Sequence, residues 1–190
     1  MLKNKEIGIE KDPDILEKQA NIHSVFLSLG SNLNSIYGDK IKNLELAQEH
    51  LFKEGITIKN KSSYYESLSF PNINDPKFIN CVLHIFTNLK PFELMNLLLD
   101  IEKKLGRIRN KKNEPRICDI DIIDYDQKII NTSYNGSKLC IPHEKLRDRI
   151  FVLLPLSEIA PNWNDPISKL NIHSLIEALK KDKINSIKKI

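Results

Sequence analysis

The spacing of hydrophobic and polar positions changes period several times along this chain, and each change marks an element. Residues 24–29 form the first apolar run, closed by Gly30-Ser31-Asn32, a turn signal. Ile41, Leu44, Ala47 and Leu51 then recur at helical spacing, with Lys42, Glu45, Glu49 and Lys53 left for the wet face and Gly55 as a stop. Residues 56–66 read as one strand, opening on Ile56 and Ile58 alternating with Thr57 and Lys59. Residues 67–77 hold Pro71, Asn72, Asn74, Asp75 and Pro76 without any period. They predict a long loop of the kind that often carries function. Residues 78–88 are a further strand. Pro91 sits where a helix starts without losing a hydrogen bond. Met95, Leu98, Ile101, Glu102 and Leu105 mark one face of that helix, and Gly106 ends it. After a basic loop over 107–115, Ile117, Ile120, Ile122 and Ile123 supply the β-branched bulk of another strand.

From residue 24 to residue 124 the order is β-α-β-β-α-β. That is the split βαβ, ferredoxin-like arrangement. It predicts an α+β domain whose antiparallel sheet carries both helices on one face and leaves the other for a site. Further on, Ile129-Ile130 reads as a hairpin return, 134–138 as a turn, and 139–141 as a short strand leading to Pro142-His143. Leu146, Ile150, Val152, Leu153 and Leu156 predict helical turns interrupted at Pro155, and 172–181 a final helix. The division expected is a flexible extension over 1–21, a main domain over 22–165, and a C-terminal helix with a solvated Lys-rich tail over 166–190.

Charge narrows the partners. The net charge of +4, from 29 basic and 25 acidic residues, suits an anionic small molecule and does not demand nucleic acid. No run of about 18 apolar residues predicts a membrane helix. The first twenty residues lack the apolar centre of a signal peptide, so a cytoplasmic location is expected. Cys81, Cys118 and Cys140 show no Cys-x-x-Cys spacing and read as small core residues in a reducing compartment.

The candidate chemistry sits in residues 114–124. Asp119 and Asp121 are two apart, so on a strand both point to one face. Paired carboxylates repel, and a divalent cation relieves them. Their hard oxygens suit Mg²⁺, which takes one or two carboxylates plus substrate phosphates. Arg107, Arg109, Lys111, Lys112 and Arg116 put base for phosphate beside acid for a metal. Taken alone, the pair fits a solvated edge strand equally well.

Several blocks in fixed order carry a resemblance: residues 26–33 with Gly30-Ser31-Asn32, Phe78-Ile79-Asn80, residues 106–109, residues 115–123 with Pro115-Arg116 and Asp119-Ile120-Asp121, Ile141-Pro142-His143, and Phe151 through Ala160-Pro161. Together they resemble the 6-hydroxymethyl-7,8-dihydropterin pyrophosphokinase family over roughly residues 25–163. The resemblance implies a ferredoxin-like enzyme of folate biosynthesis that moves pyrophosphate from ATP to the hydroxymethyl group of the dihydropterin, releasing AMP. It implies two Mg²⁺ ions shared by Asp119 and Asp121. It places Phe78, Asn80 and Phe151 at the pterin, and Glu102, Arg109, His143 and Arg149 at ATP. Arg107 and Arg116 fall where the family has arginines serving the phosphates and catalysis. Asn113 and Glu114 depart from the family, which usually has a small residue before the proline, often after an aromatic. A monomer is compatible with this reading.

The alternative class is a ferredoxin-like metal-dependent nucleotide- or RNA-binding module. The Gly-Phe-rich signature of an RNA-recognition module is absent, and two sheet carboxylates would repel a phosphate backbone without metal. The basic loop is expected to be mobile without ligand. Arg107 would then arrive on closure, whereas Arg116 would be held in place from the start.

Overall fold

The computed structural model describes residues 22–108, 114–134 and 136–190. The expected flexible extension lies outside them, as do Arg109, Lys111, Lys112 and Asn113.

The main elements follow the predicted order. Strand β1 (His23–Ser31) is followed by helix α1 (Lys40–Lys53), β2 (Thr57–Lys61), β3 (Tyr65–Ser67), β4 (Phe78–Thr87), α2 (Pro91–Lys104) and β5 (Asp119–Tyr125). Asp39 caps α1 by accepting from the Lys42 N–H at 2.8 Å. Pro91 opens α2. At the other end Gly106 takes φ +95°, and the Arg107 N–H returns to the Glu102 carbonyl at 3.0 Å. The main sheet runs β5-β1-β4-β3, with β2 also paired to β4, and every one of these pairs is antiparallel.

The predicted strand over 56–66 is two strands. Between them Ser62 donates its N–H to the Val82 carbonyl and accepts the Val82 N–H on its hydroxyl, both at 2.9 Å. A side-chain oxygen takes the place of a ladder carbonyl there, and the pairing resumes at Tyr65 in a new register.

Alternation along β1 separates two cores. Val25, Leu27 and Leu29 face α1 and α2, joined by Leu44, Leu51, Leu83, Leu98 and Ile101. Phe26, Ser28 and Gly30 point the other way. That second face is only half open. Helix α3 (Ile150–Ile159) and α4 (Ile172–Glu177) pack Leu153, Leu156 and Leu175 with Trp163 onto Val82 and Ile123. Pro155 does not interrupt α3. It lacks only the N–H that would reach the Phe151 carbonyl, and it is buried.

Hairpin β6 (Ile130–Tyr134) with β7 (Ser137–Ile141) is longer than predicted. The last helix is also two pieces, α4 and the short α5 (Lys181–Asn185). The Lys-rich end is not simply a solvated tail: residues Ile187–Lys189 form β8, antiparallel to β3. An unpaired edge is a costly row of backbone donors and acceptors, and β8 satisfies it while Lys188 and Lys189 keep their side chains in water.

Asp165 anchors the segment after α3. It is fully buried and accepts from Arg147 Nε at 2.7 Å and from the Ser168 N–H and hydroxyl at 2.9 and 2.6 Å. Burial alone would raise its carboxyl; the donors from Arg147 and Ser168 outweigh that and hold it below the ordinary carboxylate range. Asp165→Ala is expected to cost about 1–3 kcal/mol. Because the folded carboxyl is depressed, its contribution is present above the ordinary value near ~3.9 and is lost as pH falls through the folded value. Urea unfolding at pH 7 and pH 3 should therefore show the gap between wild type and variant narrowing at the acid end.

Candidate active site

The open half of the second face is organised by one row of paired residues. Tyr65 lies opposite Asn80, Asn80 opposite Gly30, and Gly30 opposite Asp119. Strand spacing puts Asn80 and Asp119 about 10 Å apart, with a residue lacking a side chain between them. One step along, Ser28 lies between Val82 and Asp121. Asp119 and Asp121 are both half-buried while Ile120 and Ile122 are buried, so the two carboxylates do share a face.

Arginines neutralise both carboxylates. Arg107 Nη1 lies 2.5 Å from Asp119 Oδ1 and 2.5 Å from Glu102 Oε1. Arg116 Nη2 lies 2.8 Å from Asp119 Oδ2. Arg149 Nη1 donates to Asp121 Oδ2 at 2.8 Å. Burial pushes the Asp119 carboxyl up, but Arg116 and Arg107 outweigh it and the net direction is down. For Arg107, burial works against the charge, and Asp119 and Glu102 win to raise its pKa. Burial and Arg149 push the His143 imidazole below its usual range against the pull of Asp121 and Asp119.

Each predicted site residue within the described chain has a definite place. Arg116 is held from the start, as expected. Arg107 corrects the expectation of an arginine that arrives on closure: only 11% of its side chain is exposed, and it is already wedged between two carboxylates. Glu102 is buried as well. It is 2% exposed and accepts from the Ile120 N–H at 2.8 Å, tying α2 to the start of β5. Phe78 and Asn80, two apart on β4, share a face, and the Arg116 guanidinium lies 5.2 Å from the Phe78 ring centre. Arg149 stands over Phe151 in the same way at 5.6 Å. Each aromatic is thus joined through one arginine to one aspartate. His143 follows the Ile141-Pro142 segment at the end of β7, near both carboxylates. Arg109 lies outside the described residues.

Two residues were read only as a turn. Asn32 is a buried clamp. Its Oδ1 accepts from the Arg116 N–H at 2.6 Å, and its Nδ2 donates to the Pro76 carbonyl at 3.1 Å, so it fixes Arg116 to the loop before β4. Gly30 leaves room: a Cβ there would stand 3.2 Å from Asn80 Oδ1 and 3.5 Å from Phe78 Cδ1. On the placement of the pterin at Phe78 and Asn80 that the sequence resemblance implies, Gly30→Ala is expected to weaken dihydropterin binding about tenfold or more with ATP binding unchanged, which ligand-fluorescence titration measures. A cavity of about 380 Å³ adjoins the arginines, lined by Leu33, Ile108, Arg107, Arg116 and Ile117. A hollow of about 400 Å³ bordered by Phe26, Gln127 and Trp163 lies away from the acidic pair.

Fold and site together define a class: a ferredoxin-like α+β domain with an arginine-ringed acidic pair beside an amide and two aromatic rings. Comparison with known proteins gives the family. The model of the 7,8-dihydro-6-hydroxymethylpterin-pyrophosphokinase (HPPK) family matches residues 26–161. Over 156 residues the chain is 39% identical to the 2-amino-4-hydroxy-6-hydroxymethyldihydropteridine pyrophosphokinase of Synechocystis sp., covering 82% of this chain and 75% of that one. The protein of the same name from Methylorubrum extorquens is 37% identical over 72% of this chain and 82% of its own length. The folic acid synthesis protein FOL1 of Dictyostelium discoideum is 41% identical over 75% of this chain, which spans only 20% of it. A Plasmodium falciparum HPPK-DHPS structure with pterin and p-hydroxybenzoate shares the fold at TM-score 0.67 and 16% identity, over 94% of this chain and 49% of that one.

The chain belongs to the HPPK family. It is a pyrophosphokinase of folate synthesis, transferring a pyrophosphoryl group from ATP to hydroxymethyldihydropterin.

Proposed function

We propose that this transfer takes place over the open half of the sheet, with the pterin between Asn80 and Asp119 and the triphosphate along the arginines. The row Asn80–Gly30–Asp119 carries the reading, because it sets a ring-edge amide and an acidic pair about 10 Å apart across a gap with no side chain. Asn80 offers a hydrogen-bonding edge to the heterocycle, and Phe78 and Phe151 supply stacking area.

Asp119 and Asp121 suit Mg²⁺ by donor chemistry: hard oxygens, two carboxylates on one face. Among the described residues no group of three or more His, Cys, Asp or Glu side chains converges, so phosphate oxygens and water would complete the shell. Two bound ions would neutralise the phosphates and align donor with acceptor. The chain's own cations do the rest. Arg107 and Arg116 meet the transferring group, where charge spreads over its oxygens. The Arg116 Nε is buried without a hydrogen-bond partner among the described residues, a donor that a phosphate oxygen would satisfy. Arg149, His143 and Arg109 serve ATP, and Glu102 serves it through Arg107. The hydroxymethyl oxygen attacks the β-phosphorus and releases its proton to water, the bond from that phosphorus to the α-phosphate oxygen breaks, and AMP leaves.

One chain supplies every residue named, so the reaction needs no second copy and a monomer suffices. No described helix is long and apolar enough to cross a membrane, and a cytoplasmic location fits the free thiols of Cys81, Cys118 and Cys140. Purified protein given ATP, Mg²⁺ and 6-hydroxymethyl-7,8-dihydropterin should form AMP and the pterin diphosphate in equal amounts by mass spectrometry, and EDTA should stop it. ADP in place of AMP, or turnover unaffected by EDTA, would refute the reading.

A further inference from the structure

The family match ends at residue 161, yet the chain beyond it returns to the sheet. Strand β8 pairs with the outer edge of β3, setting Tyr65 opposite Lys189, Glu66 opposite Lys188 and Ser67 opposite Ile187. The Ile190 N–H donates to the Tyr64 carbonyl at 3.0 Å. Lys189 Nζ lies 3.4 Å from Glu158 Oε2, and that oxygen accepts from the Tyr65 hydroxyl at 2.7 Å. The end of the chain therefore holds β3 from its backbone and, through Glu158 of α3, from its side chains.

Strand β3 is three residues long, and its inner edge faces Asn80 of β4. The Asn80 Nδ2 donates to Ser67 Oγ at 3.0 Å and to the Tyr65 carbonyl at 3.3 Å. Asn80 is only 3% exposed. With both amide hydrogens engaged by β3, its Oδ1 is turned toward Gly30 and Phe78. Which atom Asn80 presents to the open face thus depends on where the Tyr65 carbonyl and the Ser67 hydroxyl stand. A three-residue strand with one bare edge would fray; β8 removes that freedom.

We propose that β8 is a positioning element of the pterin half-site. By completing the outer edge of β3 it fixes the two acceptors that orient the Asn80 carboxamide, so a segment outside the family match sets pterin affinity. The inference rests on the reading that Asn80 meets the pterin; the acidic pair on β5 is separated from β3 by β4 and β1, and Arg116 reaches back from it over Phe78 of β4.

The test compares the 190-residue chain with one ending at Ser186, measuring equilibrium binding of 6-hydroxymethyl-7,8-dihydropterin and of a non-hydrolysable MgATP analogue. Loss of β8 should weaken dihydropterin binding about tenfold, the loss of roughly one well-made hydrogen bond, and raise its KM with little change in kcat. ATP-analogue affinity should stay within about twofold. Lys188→Pro releases the strand in the 190-residue chain, since proline removes an N–H from a ladder, and it decides the matter if truncation prevents folding. Ser67→Ala, which leaves β8 in place, should reproduce part of the pterin defect. Equal losses for both ligands, no loss for either, or failure of both β8 variants to fold would overturn the proposal. Asn80→Ala separates the two levels. If it leaves pterin binding intact, the placement of the pterin is wrong; if it weakens binding while loss of β8 does not, only the role of β8 is wrong.

Discussion

Asp119→Ala and Asp121→Ala should each lower turnover at least about a thousandfold, removing several kcal/mol of charge stabilisation from the transferring group. The two variants should differ in stability. Crowded carboxylates on a strand ordinarily gain when one is removed, and the sequence supports that expectation for both. The structure reverses it for Asp119, whose two oxygens sit against Arg107 and Arg116. Deleting Asp119 leaves two half-buried guanidiniums short of a counter-charge and should cost about 1–3 kcal/mol. Among the described residues Asp121 is paired with Arg149, and its carboxylate is more open to water than that of Asp119, 31% against 21%; its loss should cost about 0–1 kcal/mol. Steady-state rates with urea unfolding on both variants check the pair. Near-normal turnover in either would remove that residue from the proposed metal site, and equal stability losses would show that the arginine pairing contributes little.

Arg107→Ala should lower turnover about a hundredfold or more, the scale of losing one preorganised donor to a developing charge, and should also destabilise the fold. A loop arginine swinging in on closure would affect the chemical step and spare stability. This one follows Gly106 at the end of α2 and lies between Glu102 and Asp119. Removing it leaves the Glu102 carboxylate, 2% exposed, without that counter-charge, at a cost of about 3 kcal/mol. Arg107→Lys should recover part of the stability and little of the rate, since an ammonium is a point charge and cannot match the planar fork. Thermal melts alongside single-turnover kinetics give both quantities. A variant of normal stability whose only defect is weaker ATP binding would mean that Arg107 is a peripheral cation and that Glu102 is satisfied without it.

Much of the site could be read along the chain because its signals are local. Period-2 alternation places Asp119 and Asp121 on one face, and Phe78 and Asn80 on one face, whatever surrounds them. Gly106 and Pro91 bound α2 through φ and a missing N–H, which are properties of single residues. The element order alone yields the ferredoxin-like sheet, since the helical and strand periods differ and each must bury one side.

What the tertiary structure decided depends on contacts across long separations, which no local period encodes. Gly30-Ser31-Asn32 is a turn by composition. Only the pairing of β1 with β4 and β5 makes Gly30 the gap between Asn80 and Asp119, and Asn32 a clamp on Arg116, 84 residues away. Arg107 reads as a loop cation and Glu102 as one position on a helix face; burial beside Asp119 joins them into one charge network. The Lys-rich end reads as solvated because its side chains are, but its backbone had an unpaired edge of β3 to satisfy, and that need is visible only once the sheet exists.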